Sequence, residues 1–435
     1  MTFTIVQITS IITALGCLIF LLKGVNRPLS MACYAVAMLP FQISCPFVSA
    51  IKVNELAIVL WIMVFIFHTI LRKKIFYSRY AATLFVFMIF VSAFNIFKYF
   101  QSGNTGVVTE LIRLIVAVFF PLTVSLTFFD EMQYCFDKLI RAWNIAATVV
   151  CILSLASVVI SGYSFMSYFM SYIAKTNMFY TMKFASSPFI ADPNSYGGYL
   201  VISIGIAYYL YRSTGNKKYL TFMIIEFVGL TTSLSRGAIL SLFTAFCVVL
   251  FINRRTKAIG ALSIILGIIG GVSLLIPYFS SDASAMSRFD MWETAFSMFK
   301  DRPIFGVGLS NYTYLFSNYG SAGVLGYNPY THNLYLKILV ESGIVGEILF
   351  LALCLTLLRL CLKHAQRDRK AMMILFGILG FMIQGMTVEF FTSNYFWFLL
   401  VAGLFYMQKV NENSETIDEP VYEKQESMAY RGYSQ

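Results

Sequence analysis

Long runs of apolar residues, separated by short polar stretches, constrain this chain more than any other feature. A backbone in lipid has no water to bond, so each run must close its hydrogen bonds within itself, and for runs of this length that means helix. A membrane span needs about 20 mostly apolar residues. Such runs lie at roughly 4–22, 29–50, 55–71, 80–97, 108–128, 142–162, 194–211, 219–234, 237–252, 258–279, 334–360, 371–388 and 394–408. With 58% hydrophobic and only 12% charged residues, a chain of 435 is too apolar for a soluble protein. The expectation is an all-α integral membrane protein with about 12–13 transmembrane helices and one large extracytoplasmic loop containing short amphipathic helices. The first run lacks a basic leader and an A-x-A-like cleavage site, so it reads as a span rather than a signal peptide.

Basic residues fall in alternate connections. Lys23 and Arg27, Arg72 to Arg79, Lys138 and Arg141, Arg212 to Lys218, Arg254 to Lys257, and Lys363 to Lys370 form one set. The thirteen-span layout puts all of them on one side, which the positive-inside rule makes cytoplasmic. The net charge of +11 then reflects topology, and no nucleic-acid partner is implied. The chain divides into N-terminal spans (1–279), a large outer loop (280–333), C-terminal spans (334–408) and a polar cytoplasmic tail (409–435) whose composition reads as disordered. Seven of the eight cysteines lie in or beside spans and Cys135 in a short loop, with no disulfide framework or CxxC site.

The outer side carries two long loops, about 163–193 and 280–333. In the larger, Phe289, Trp292, Phe296 and Phe299 recur at helical spacing before Pro303. This predicts an amphipathic helix at the interface, with Trp292 at headgroup level. "TTSLSRGAIL" places Arg236 at an outer membrane edge, and Arg288 opens the amphipathic helix. A guanidinium fork suits bidentate phosphate contact, while an ordinary interfacial arginine is the competing reading. The glycines of "FGVGL" fit a tight turn or close ligand approach. In "FIADPNSYGGYL", Asn194 fits either a helix cap or a sugar contact. His332 and Asn333 meet the start of an apolar helix in "YTHNLYLKILVESGIVGEI".

Arg113, Glu226, Lys337, Glu341, Glu347 and, at the edge of one, Glu389 fall in expected spans, where ionisable groups are costly. Glu110 with Arg113 and Lys337 with Glu341 have the spacing of local helix ion pairs. Glu226, near mid-span with no sequence partner, is the clue for a transporter. The chain has no Walker loop, no HExxH and no acidic DxD cluster in an outer loop.

Three segments, "SRGAIL" (235–240), "SRFDMWETAFSMFKDRPIFGVGLSNY" (287–312) and "THNLYLKILVESGIVGEI" (331–348), together resemble the O-antigen ligase and Wzy-type O-antigen polymerase superfamily; "DPN" at 192–194 also fits. The resemblance implies a metal-independent bacterial glycosyltransferase without cofactor. It would act on undecaprenyl-pyrophosphate-linked glycans at the outer face of the inner membrane. A polymerase reading leads, with ligation to lipid A core and a membrane transporter as alternatives. It also implies His332 as catalytic residue and Arg236, Arg288 and Arg113 as pyrophosphate ligands. Asn333, Asn194 and Glu341 become glycan-binding or positioning residues. Implied partners are the lipid-linked donor, a glycan acceptor and membrane lipids, with a chain-length regulator and a flippase as candidates.

Overall fold

The computed structural model describes residues 2–46, 51–72, 78–174, 176–265, 283–320 and 329–418. The described helices begin with α1 (Thr2–Asn26), α2 (Pro28–Met38), α3 (Val53–Arg72), α4 (Arg79–Ser102), α5 (Thr105–Thr127) and α6 (Met132–Ile160). Next come α7 (Phe165–Ala174), α8 (Asn177–Ala185), α9 (Pro193–Thr214), α10 (Lys218–Thr232) and α11 (Arg236–Ile252). A stretch at 257–265, at the edge of the described residues, is α12. The remainder are α13 (Ala283–Asp301), α14 (Asn311–Tyr319), α15 (Leu334–His364), α16 (Arg369–Gln384) and α17 (Asn394–Asp418).

The chain is thus an all-α integral membrane protein. Among the described residues, α1, α3, α4, α5, α6 and α15 are long and apolar enough to cross a membrane. α1 shows why: Ile8, Ile12, Leu15, Ile19 and Leu22 point outward, with no protein to cover them. α9 and α17 are the opposite case. Nearly every residue from Tyr196 to Ala207 and from Tyr395 to Gln408 is buried in the bundle, so these helices can carry tyrosine, serine and glycine without meeting lipid.

Four expectations change. The run 29–50 is helical only to Met38; Pro40 and Pro46 stop it, and Ser44 instead pairs with Lys52 in an isolated antiparallel bridge. α6 starts at Met132, so Cys135 is a buried helical residue rather than a loop one. α16 ends at Gln384, which leaves Glu389 in the connection to α17 and outside a span. α17 runs to Asp418, so the tail begins as helix. Most of the run 258–279 and the tail from 419 lie outside the described residues.

The basic connections meet at one end of the bundle. Arg369 donates to the Arg212 carbonyl at 2.7 Å, Lys370 pairs with Asp137 at 2.7 Å, and Lys363 donates to Asn411 at 2.6 Å. α15 carries Lys363 and His364 in its last turn at this end and begins beside His332 at the other.

α15 is broken within its length. Gly343 has φ 67° and ψ −173°, a conformation open essentially to glycine alone, and a Cβ there would fall 2.2 Å from the Ile304 carbonyl oxygen. The break leaves helical donors and acceptors unpaired. The segment after Pro303 satisfies them: Val307 and Gly308 donate to the carbonyls of Val340 and Glu341, and Ile344 and Val345 donate to those of Pro303 and Ile304. Gly306 therefore serves a close approach to protein backbone, since a Cβ there would sit 2.5 Å from the Val340 oxygen, whereas a Cβ on Gly308 would meet the Lys98 side chain at 2.8 Å. Asn95 and Asn104 fasten the same loop to α4 and α5, accepting from Leu309 N–H and donating to Asn311.

Candidate active site

The polar motifs of the sequence converge at the end opposite the basic connections. Asp192 caps α9, accepting from Ser195 N–H at 2.8 Å. Asn194 is the second residue of this helix, and its Oδ1 accepts from Ser235 at 3.0 Å and from Lys183 at 3.3 Å. Ser235 caps α11, so Arg236 occupies that helix's first position. Gln384, at the end of α16, donates to the Asn194 carbonyl at 2.6 Å. Gly198 permits this, because a Cβ there would lie 2.4 Å from the Gln384 side-chain oxygen. The next residue of α16's end, Gly385, accepts from Leu334 N–H at 2.7 Å and ties in the start of α15.

His332 lies in the turn just before α15 with φ 48°, the left-handed region that non-glycine residues seldom enter. Thr331, buried completely, is held on two sides. Trp292 of α13 donates to its carbonyl at 2.8 Å, and its own hydroxyl donates to Glu389. Glu389 also accepts His332 N–H at 3.0 Å and pairs with Lys337 at 3.0 Å. Asn333 caps α15, accepting from Tyr335 and Leu336 N–H. Tyr330 meets the imidazole edge-on, 6.2 Å between centroids.

Arg288, Glu389, Asp192 and Lys183 are near enough for their charges to act on the His332 ring. Burial, then the Arg288 guanidinium and Lys183, holds its pKa below the usual imidazole range, against the opposing pull of Glu389 and Asp192. Burial alone would raise the Glu389 carboxyl; the Lys337 ammonium and the Thr331 hydrogen bond outweigh it and hold the group below its usual range. At neutral pH the ring is uncharged and able to accept a proton, and Glu389 is an anion.

Several expected residues take other roles. Arg113 is exposed and pairs with Glu110 at 2.6 Å, the local i,i+3 bridge. Glu341 is 1% exposed below the turn, 3.8 Å from Lys337, so it does not reach an open face where a glycan could touch it. The Asn333 side-chain oxygen is committed to the cap, and the cap of α9 is Asp192 rather than Asn194. Trp292 bonds the loop at the Thr331 carbonyl, and the buried apolar face of α13 is Met291, Ala295 and Met298. Glu226 has partners after all: Asn144 donates at 2.7 Å and Thr148 at 3.0 Å from α6. Lys183 was missed. The reasoning that singled out Arg236 and Arg288, a cation on the side where the charge rule predicts few, would have found it.

Fold and cluster together define a multi-pass membrane protein with a histidine-centred, cation-rich polar site at one end of its bundle. Within it, residues 220–351 match the family model described as O-antigen ligase, which supports the O-antigen ligase and Wzy superfamily. The matched segment contains Arg236, Arg288 and His332, while Lys183, Asn194 and Glu389 lie outside it. No curated protein matches the chain. The description of that family suggests a glycosyltransferase-like membrane enzyme.

Proposed function

We propose that the protein polymerises lipid-linked oligosaccharide repeat units, moving a growing glycan from undecaprenyl pyrophosphate to an acceptor sugar hydroxyl at the outer face of the inner membrane. The observation that carries this reading is a half-buried imidazole held neutral beside Arg288 and Lys183, at the bundle end where α9, α11 and α15 begin. Helix N-termini favour anions, and this end collects three. In the reaction, the acceptor oxygen forms a bond to the anomeric carbon and its proton passes to His332. The bond from that carbon to the pyrophosphate oxygen breaks, and the electron pair leaves with the carrier lipid. Arg236 and Arg288 stabilise the departing charge. As written, these steps need no metal.

Ligation to lipid A core is the second reading, favoured by the description of the matching family. The transporter reading is weakened, because one carboxylate oxygen of Glu226 is engaged by hydrogen bonds within the bundle. Lipid profiling of a deletion strain separates the first two. Single repeats attached to core identify a polymerase, long polymer stranded on the carrier identifies a ligase, and an unchanged profile removes both.

The orientation is open to single-cysteine labelling in a cysteine-free background. Cysteine at Ala285 or Gly320 is expected to react with an impermeant reagent from outside, and cysteine at Ile75 or Gln366 is not. Labelling at Gln366 in intact cells would reverse the assignment of sides.

A further inference from the structure

Glu389 is used by no step of the reaction, yet its carboxylate is bonded to two residues of the catalytic turn. Its carboxylate bonds the Thr331 hydroxyl and the His332 N–H, and pairs with Lys337 one turn into α15. One group thereby ties the two residues at the turn to the first turn of the helix that follows. The turn needs such a tie, since a left-handed histidine is strained and persists only where its surroundings over-determine it. Trp292 holds the turn from the other side, and Gly385 fixes its exit.

We propose that Glu389 is a positioning residue that fixes the orientation of His332 toward the acceptor hydroxyl. This rests on His332 being the base. The carboxylate acts through the backbone of residues 331 and 332 and touches no substrate. The charged groups facing the ring are Arg288 from α13, Lys183 from α8, Asp192 at the start of α9 and Glu389 itself. Of the two anions, Glu389 is the one bonded to the histidine's own backbone.

The test uses the full chain in lipid nanodiscs, with lipid-linked repeat units extracted from the deletion strain, and follows release of undecaprenyl pyrophosphate against pH. Glu389→Ala should lower kcat about 10²-fold with KM little changed, the scale on which a misplacement of about 1 Å acts. Glu389→Gln keeps an oxygen acceptor but removes the charge. An imidazolium beside a lost anion is less favoured, so the acid limb of kcat/KM should move to lower pH while more of kcat survives. If Glu389→Ala does not insert, Thr331→Val tests the same turn by removing one bond, and kcat should fall without KM. Unchanged kcat and an unmoved acid limb, with His332→Gln inactive, overturn the positioning role and leave the base intact. An active His332→Gln overturns the base itself.

Discussion

Purified protein carrying His332→Ala is expected to extend lipid-linked repeats at roughly 10²–10⁴-fold below the wild-type rate, the usual worth of a general base. His332→Gln should fall nearly as far, because an amide orients a hydroxyl but takes no proton at neutral pH. Insertion and thermal stability should stay close to wild type, since the ring's own contact in the turn is an edge-on meeting with Tyr330, while the turn's bonds run through the backbone. The pH profile carries a second signature. Burial and Arg288 hold the imidazole below its ordinary range, so the ring is neutral at pH 7 and becomes protonated only below about pH 6.5. Activity should therefore persist to lower pH than an unperturbed histidine allows, then fall. A wild-type rate in His332→Gln would reduce this ring to a positioning group.

Replacing either Arg236 or Arg288 by alanine is expected to cost about 3–4 kcal/mol of transition-state stabilisation, roughly 10²–10³-fold in kcat. Arg288 acts on the histidine ring from α13, and Arg236 opens α11 beside Ser235, which bonds Asn194. Lysine at either position keeps the charge but loses the planar fork, so Arg236→Lys and Arg288→Lys should also be impaired. Arg288→Lys should leave the acid limb near its wild-type place, and Arg288→Ala should move it to higher pH as a neighbouring cation is lost. Full activity in both lysine variants would leave these residues as interfacial anchors. Arg113→Ala provides the contrast. Its guanidinium is exposed and spent on Glu110, and a surface pair of this kind contributes under about 1 kcal/mol.

The membrane fold was legible in the chain because it depends on local rules, whereas the candidate site was named from the resemblance of its motifs. Hydrocarbon forces backbone groups to pair within a segment, so apolar length alone announces α1, α3, α4, α5, α6 and α15. Asn333 before Leu334 announces a helix start, and it is one. The arginines stood out because they oppose the charge bias of the rest of the chain. What the chain does not announce is which residues meet across long sequence separations. Lys337 has Glu341 four residues on, the partner local spacing suggests, but its shorter pairing is with Glu389 at 3.0 Å against 3.8 Å. Glu226 looks unpartnered along the sequence because Asn144 and Thr148 belong to another helix. The break at Gly343 is invisible in an apolar run until the loop from Pro303 is placed against it, and the sequence marks α9 and α17 as spans without showing how completely the bundle buries them. Length, hydropathy and charge act along the chain and can be read there; hydrogen-bond partners and burial are set by packing, which only the tertiary structure decides.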